Sequence, residues 1–80
     1  MLKGFVVYRD YGRSSRRYFR EFEDRIPSGT TKGEKAMIFC TEGMASNVAK
    51  RCKEYDGYIW KVADLSKEAF HVKRGMKKYA

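Results

Sequence analysis

One segment of helical periodicity constrains this chain more than any other feature. Apolar residues recur at Met44, Ala45, Val48, Ala49, Cys52 and Tyr55, while Ser46, Asn47, Lys50, Arg51, Lys53 and Glu54 fill the opposite side. That spacing follows the 3.6-residue turn, so it predicts one amphipathic helix whose apolar stripe must be covered. Thr41 supplies an N-cap hydroxyl and Glu42 a negative charge in the first turn. Asp56 and Gly57 close the helix, because Gly57 is free to take the left-handed C′ conformation. The apolar run 36–40 precedes the helix, and the β-branched and aromatic run 58–62 follows it. Both read as strands, which makes strand–helix–strand the organising unit.

The rest of the chain must supply the sheet that covers this helix. Residues 4–9 form a first β-rich strand. Segment 16–26 has two readings. Tyr18, Phe19, Phe22 and Ile26 suit one helical face, whereas 18–22 read as a strand pairs back on the first strand through the Gly- and Ser-containing turn 10–15. The hairpin is preferred, since an isolated first strand needs a partner. The stretch 26–33 holds Pro27, the only proline, and is the longest loop signal. Near the C-terminus, 63–66 reads as a turn. After it comes either a short helix capped by Ser66 or a last strand over 69–73. The predicted fold is α+β, a small, mostly antiparallel sheet of three to four strands with one main amphipathic helix on one face, in β-β-β-α-β order. It forms a single small domain over 1–80, with 74–80 read as a frayed basic end.

Composition removes several classes. At 42% hydrophobic and 15% aromatic the chain is too apolar for intrinsic disorder. No apolar run approaches the roughly 18 residues that span a bilayer, and the apolar stretch near the start is too short for a signal-peptide core. The expectation is a cytoplasmic protein without membrane contact. The two cysteines, Cys40 and Cys52, match no zinc spacing, and His71 is the only histidine. Both thiols are expected reduced and buried, and no cofactor or metal is called for.

Charge is the main functional signal. Eighteen Lys and Arg against ten Asp and Glu leave a net charge of +8. Arg9, Arg13, Arg16, Arg17 and Arg20 cluster around the first turn with Tyr11, Tyr18 and Phe19 interleaved. Guanidinium forks bind phosphates, and aromatic faces accept unpaired bases. Lys50, Arg51 and Lys53 add a helical group, and Lys73, Arg74, Lys77 and Lys78 a C-terminal one. If these clusters share one face, they hold a nucleic-acid backbone, DNA or RNA, with a salt-dependent affinity. The same excess of charge also serves solubility alone.

A second feature is the segment Phe39-Cys40-Thr41-Glu42-Gly43-Met44-Ala45-Ser46, a strand end running into a helix start. It locally resembles the phosphocysteine loop of the IIB subunits of sugar phosphotransferase systems. The resemblance implies Cys40 as a phosphate-accepting nucleophile, with the 41–46 backbone as cradle. Read from the residues alone, Cys40 ends a buried strand and Thr41 caps the helix, which is the preferred reading.

With one histidine and no converging acid, base and nucleophile, the chain is read as non-enzymatic. A phosphate-handling or RNA-cleaving enzyme is the remote alternative. Trp60 is expected in the core, given the area it buries, with Tyr58 as a contact residue only if that strand faces the other way. The favoured function is a small basic module that contacts nucleic acid through the Arg/Tyr-rich turn and the basic C-terminus. The alternative is a protein–protein module that meets an acidic partner surface, anchored on Tyr58 or Tyr11. Such an accessory protein would be of the kind a virus or mobile element uses to modulate a host protein. A homodimer through an edge strand is a further expectation.

Overall fold

A computed structural model of the chain describes residues 4–11, 15–32, 35–67 and 78–79. The elements in order are β1 (Phe5–Tyr11), β2 (Ser15–Glu23), β3 (Ile26–Thr30), β4 (Ile38–Phe39), α1 (Glu42–Asp56), β5 (Lys61–Asp64), a 3-10 turn (Leu65–Lys67) and β6 (Lys78–Tyr79). They form a curled, mostly antiparallel sheet with α1 packed against it, which is the α+β fold read from the sequence.

β1 is the axis of the sheet. Tyr8 pairs with Tyr18 on one edge and Lys61 on the other, and Phe5 pairs with Phe39 and Asp64 in the same way. One edge of β1 is therefore shared by β2 and β4, and the other edge belongs to β5. β4 and β5 both run antiparallel to β1, so α1 carries the chain from one flank of β1 to the other. This satisfies the strand–helix–strand pattern with a third strand held between. Val6 and Val7 are both fully buried, as expected of a strand covered on both faces.

The preferred hairpin is present, with β2 pairing β1 from Tyr8↔Tyr18 to Tyr11↔Ser15. Helical spacing in this segment has a specific cause. A register shift between Phe19 and Glu21 adds a residue to β2. The shift lets Phe22 join Phe19 on the helix side, with ring centroids 4.9 Å apart. Three-residue spacing on a bulged strand thus imitates a helix.

The stretch expected to be a loop over 26–33 is instead β3 for five residues, paired only with β2. An edge strand bonds on one side, so Pro27 is tolerated there and its loop-like composition misleads. This adds a strand to the expected order. The strand expected over 58–62 begins at Lys61, because Asp56 turns the chain first by accepting the Tyr58 N–H at 2.9 Å. Of the end read as frayed, Lys78–Tyr79 pair in parallel with β4, while the proposed strand over 69–73 lies outside the described residues. Asp64, rather than Ser66, caps the 3-10 turn, accepting both the Ser66 N–H and its hydroxyl.

Two clusters make the core. Val7, Phe19, Phe39 and Trp60 face Ala45, Val48, Ala49 and Cys52 of α1. On the other face Val6, Ala36, Ile38 and Leu65 pack with Tyr18 and Ala63. Gly4 stands at the seam of this second cluster. A Cβ there would come 2.6 Å from Ile38 Cγ2, at a φ of +145°. Its carbonyl also accepts the Leu65 N–H at 2.9 Å, so the close approach needs glycine. The α1 stripe is buried at Ala45, Val48, Ala49 and Cys52, but Tyr55, expected with it, is 57% exposed. Cys52 is buried as expected, whereas Cys40 is exposed, because the chain bends away from the sheet directly after β4. No helix of the described residues is long and apolar enough to cross a membrane.

Candidate functional site

Strand alternation divides the arginine cluster. Arg9 and Arg17 are register partners and share the face that carries Val7, whereas Asp10 and Arg16 are partners on the opposite face. The sequence reading needed one basic face, and pleating gives two.

On the helix side, Arg9 is clamped. Its guanidinium carbon lies 3.3 Å from the centroid of the Tyr58 ring and 4.0 Å from that of Tyr11. An Arg9 nitrogen stands 3.8 Å from Asp56 Oδ2, and the two side chains are only 13% and 19% exposed. The Asp56 carboxylate also accepts the Trp60 indole N–H at 3.0 and 3.3 Å. One residue at the end of α1 thereby orients Arg9, Trp60 and the backbone of Tyr58. Arg17 lies exposed beside this group, 5.0 Å from the Tyr11 ring centroid. Arg9, Asp10, Tyr11, Gly57, Tyr58, Ile59 and Lys61 line an open groove of about 610 Å³. Tyr11, Tyr58 and Ile59 are 38%, 53% and 67% exposed, which puts three large side chains with open surface on one groove.

On the opposite face, Arg16 donates from Nε to Asp10 at 2.8 Å and covers the Tyr8 ring at 3.9 Å. Tyr18 is half-buried against Tyr8 and the second core cluster. Both are occupied in holding the hairpin. Arg20 is exposed at the bulge, and Lys50 and Arg51 are exposed on α1, where Arg51 lies over Phe22 at 5.3 Å. Arg13, Lys73, Arg74 and Lys77 lie outside the described residues, and of Lys78 the structure describes only its place in β6.

Trp60 is buried as expected, but Tyr58 is exposed beside it rather than sharing its face, because 58–60 precede β5 and do not alternate as a strand. Lys61, Ile59 and Asp56 were not legible. Asp56 reads as a helix stop, and nothing in the sequence links it to an arginine on β1. Trp60 is itself a faint clue, because a buried indole N–H demands an acceptor.

At Cys40 the helix start is closed by Thr41, whose hydroxyl accepts the Met44 N–H at 3.2 Å. Cys52 has a thiol pushed up to about 12, first by burial, then by the Asp56 charge, with Arg51 opposing. Among the described residues no three His, Cys, Asp or Glu converge on a metal-sized site. No protein-family model, curated protein or solved structure matches this chain.

Proposed function

We infer that this protein is a small, non-enzymatic module that binds single-stranded nucleic acid in the groove beside the Tyr11–Arg9–Tyr58 stack. The supporting observation is that stack itself. A partly buried arginine holds two tyrosines with exposed surface at one groove, next to the exposed cations of Arg17 and Lys61. The exposed ring of Tyr58 offers a stacking platform for an unpaired base, and Arg17 and Lys61 meet the flanking phosphates. Arg9, spent on Asp56 and two rings, positions the platform. Arg13, Lys73, Arg74, Lys77 and Lys78 contribute to the net positive charge, which strengthens the long-range attraction for a polyanion.

The test is a fluorescence-anisotropy titration with labelled single- and double-stranded oligonucleotides at low and near-physiological salt. Single strands should bind more tightly and still saturate at the higher salt. Tyr58→Ala should weaken binding about tenfold or more, the scale of one lost base stack. Changing Arg17 and Lys61 together to Ala should weaken it and flatten the salt slope by about one to two. Arg16→Gln, on the other face, should leave it unchanged. Binding confined to low salt, or equal loss from Arg16→Gln, would reduce the +8 charge to a general attraction for polyanions.

A second reading rests on Ile59. Its exposed aliphatic side chain beside Tyr58 suits a protein partner with an acidic rim. In that case Ile59→Ser abolishes partner binding that tolerates salt, and oligonucleotides do not compete.

A further inference from the structure

A different surface carries its own signal. Between α1 and strands β2 and β4 lies a narrow slot of about 150 Å³, lined by Phe19, Phe22, Met37, Phe39, Val48 and Arg51. A wider mouth of about 390 Å³ adjoins it, lined by Phe22, Arg25, Arg51, Glu54 and Tyr55. Neither shares a residue with the Arg9 groove.

The mouth is built at a conformational cost. β2 and β3 are joined by a two-residue turn, with Glu23 pairing Ile26 across it. Both central residues have positive φ, 49° at Asp24 and 68° at Arg25. That is the type I′ pattern, in which the second central position favours glycine. This chain places an arginine there, in the left-handed region that L side chains rarely adopt. The turn would form more readily with Gly, so the turn itself does not account for the side chain. What the arginine adds is a cation at the mouth of the slot, alongside Arg51.

We propose that this slot is a docking site for a peptide segment of a partner protein, one that inserts a phenylalanine- or leucine-sized side chain and sets flanking carboxylates on Arg25 and Arg51. Shape and charge define the occupant. An apolar cavity of about 150 Å³ takes a benzene-sized group. Of the charged groups lining the mouth, Arg25 and Arg51 outnumber Glu54, although Glu23 and Asp24 adjoin the same turn, and guanidinium forks match carboxylates. Apart from Arg51, the slot's lining is apolar, so a nucleobase inserted there would leave most of its polar edge unpaired, while an aromatic or aliphatic side chain has no such edge. The chain's own segment 68–77 is a poor occupant by charge, carrying Lys73, Arg74 and Lys77 against Glu68.

The experiment is an NMR titration of the ¹⁵N-labelled full chain with a capped pentapeptide, phenylalanine between pairs of glutamates. Two control peptides replace the phenylalanine by alanine or the glutamates by lysines. The proposal expects saturable shifts centred on Phe22, Met37, Val48 and Arg51 that both controls lose. Arg25→Gly is the decisive variant. It should raise Tm by several degrees, since glycine relieves the turn, yet weaken the peptide at least fivefold. Arg51→Glu, an exposed change on α1, should weaken it similarly and leave the fold intact. The proposal is overturned if shifts are absent or lie elsewhere, or if the alanine control binds equally. It is equally overturned if Arg25→Gly keeps full affinity, or if an oligonucleotide displaces the peptide and shifts the same slot residues. A failure here leaves the Arg9 groove untouched, because its variants and its ligand are different.

Discussion

Asp56 is the residue on which most of the local order converges. Its carboxylate accepts from Trp60 and Tyr58 and stands against Arg9, and all three would be left short by its removal. Asp56→Ala should cost about 2–4 kcal/mol in urea unfolding, since it strands a partly buried guanidinium and an indole N–H. Near-ultraviolet circular dichroism of the single tryptophan should change with it. The two cysteines differ as sharply. Exposed Cys40 should react with Ellman's reagent at once in the native protein, and Cys52 only on unfolding. The Cys52 thiol, raised from 9.0 to about 12, is held neutral in the fold. Below pH 9 neither state ionises it and its contribution to stability is whole. Between pH 9 and about 12 only the unfolded state loses the proton, so stability falls as pH rises. Against a Cys52→Ala reference, the native protein should lose stability more steeply as pH rises through that window, read from urea midpoints.

At the scale of elements, local rules account for α1 and strain them elsewhere. Thr41 caps the helix, and Gly57, at φ +77°, ends it with its N–H donating to the Lys53 carbonyl at 2.7 Å. Thr41→Ala should cost about 1 kcal/mol, and Gly57→Ala about the same, read from urea midpoints. These ends were legible because caps act within a few residues. The hairpin was legible in outline, since β1 and β2 are joined by a short connection. Its bulge and the β3 edge strand were not. Bulging shifts the apolar period away from two, and an edge strand needs hydrogen bonds on one side only, which relaxes its composition. Pro27 and Gly29 therefore looked like loop and are strand.

For the whole molecule, β1 holds everything together. It pairs with β2, β4 and β5 and is buried on both faces at Val6 and Val7. Hydrogen exchange should find the slowest amides in Val6, Val7 and Tyr8. Those at the β3 edge and the Tyr58–Ile59 segment should exchange first. Faster exchange in β1 than in α1 would mean the helix survives without the sheet, contrary to the packing of its stripe on Val7, Phe19 and Phe39.

By itself the sequence determined the α+β class, the helix with both its ends, the strand–helix–strand unit and the excess of positive charge. Periodicity, capping and charge are local or additive properties and can be read along the chain. Tertiary structure decided where the charge goes. Arg9 and Arg16 look equivalent in the sequence, but seven residues apart on paired strands they fall on opposite faces, each held by its own aspartate and tyrosine. The groove that unites Arg9 with Tyr58 depends on the end of α1 landing over β1. That contact spans almost fifty residues, and no local propensity encodes it.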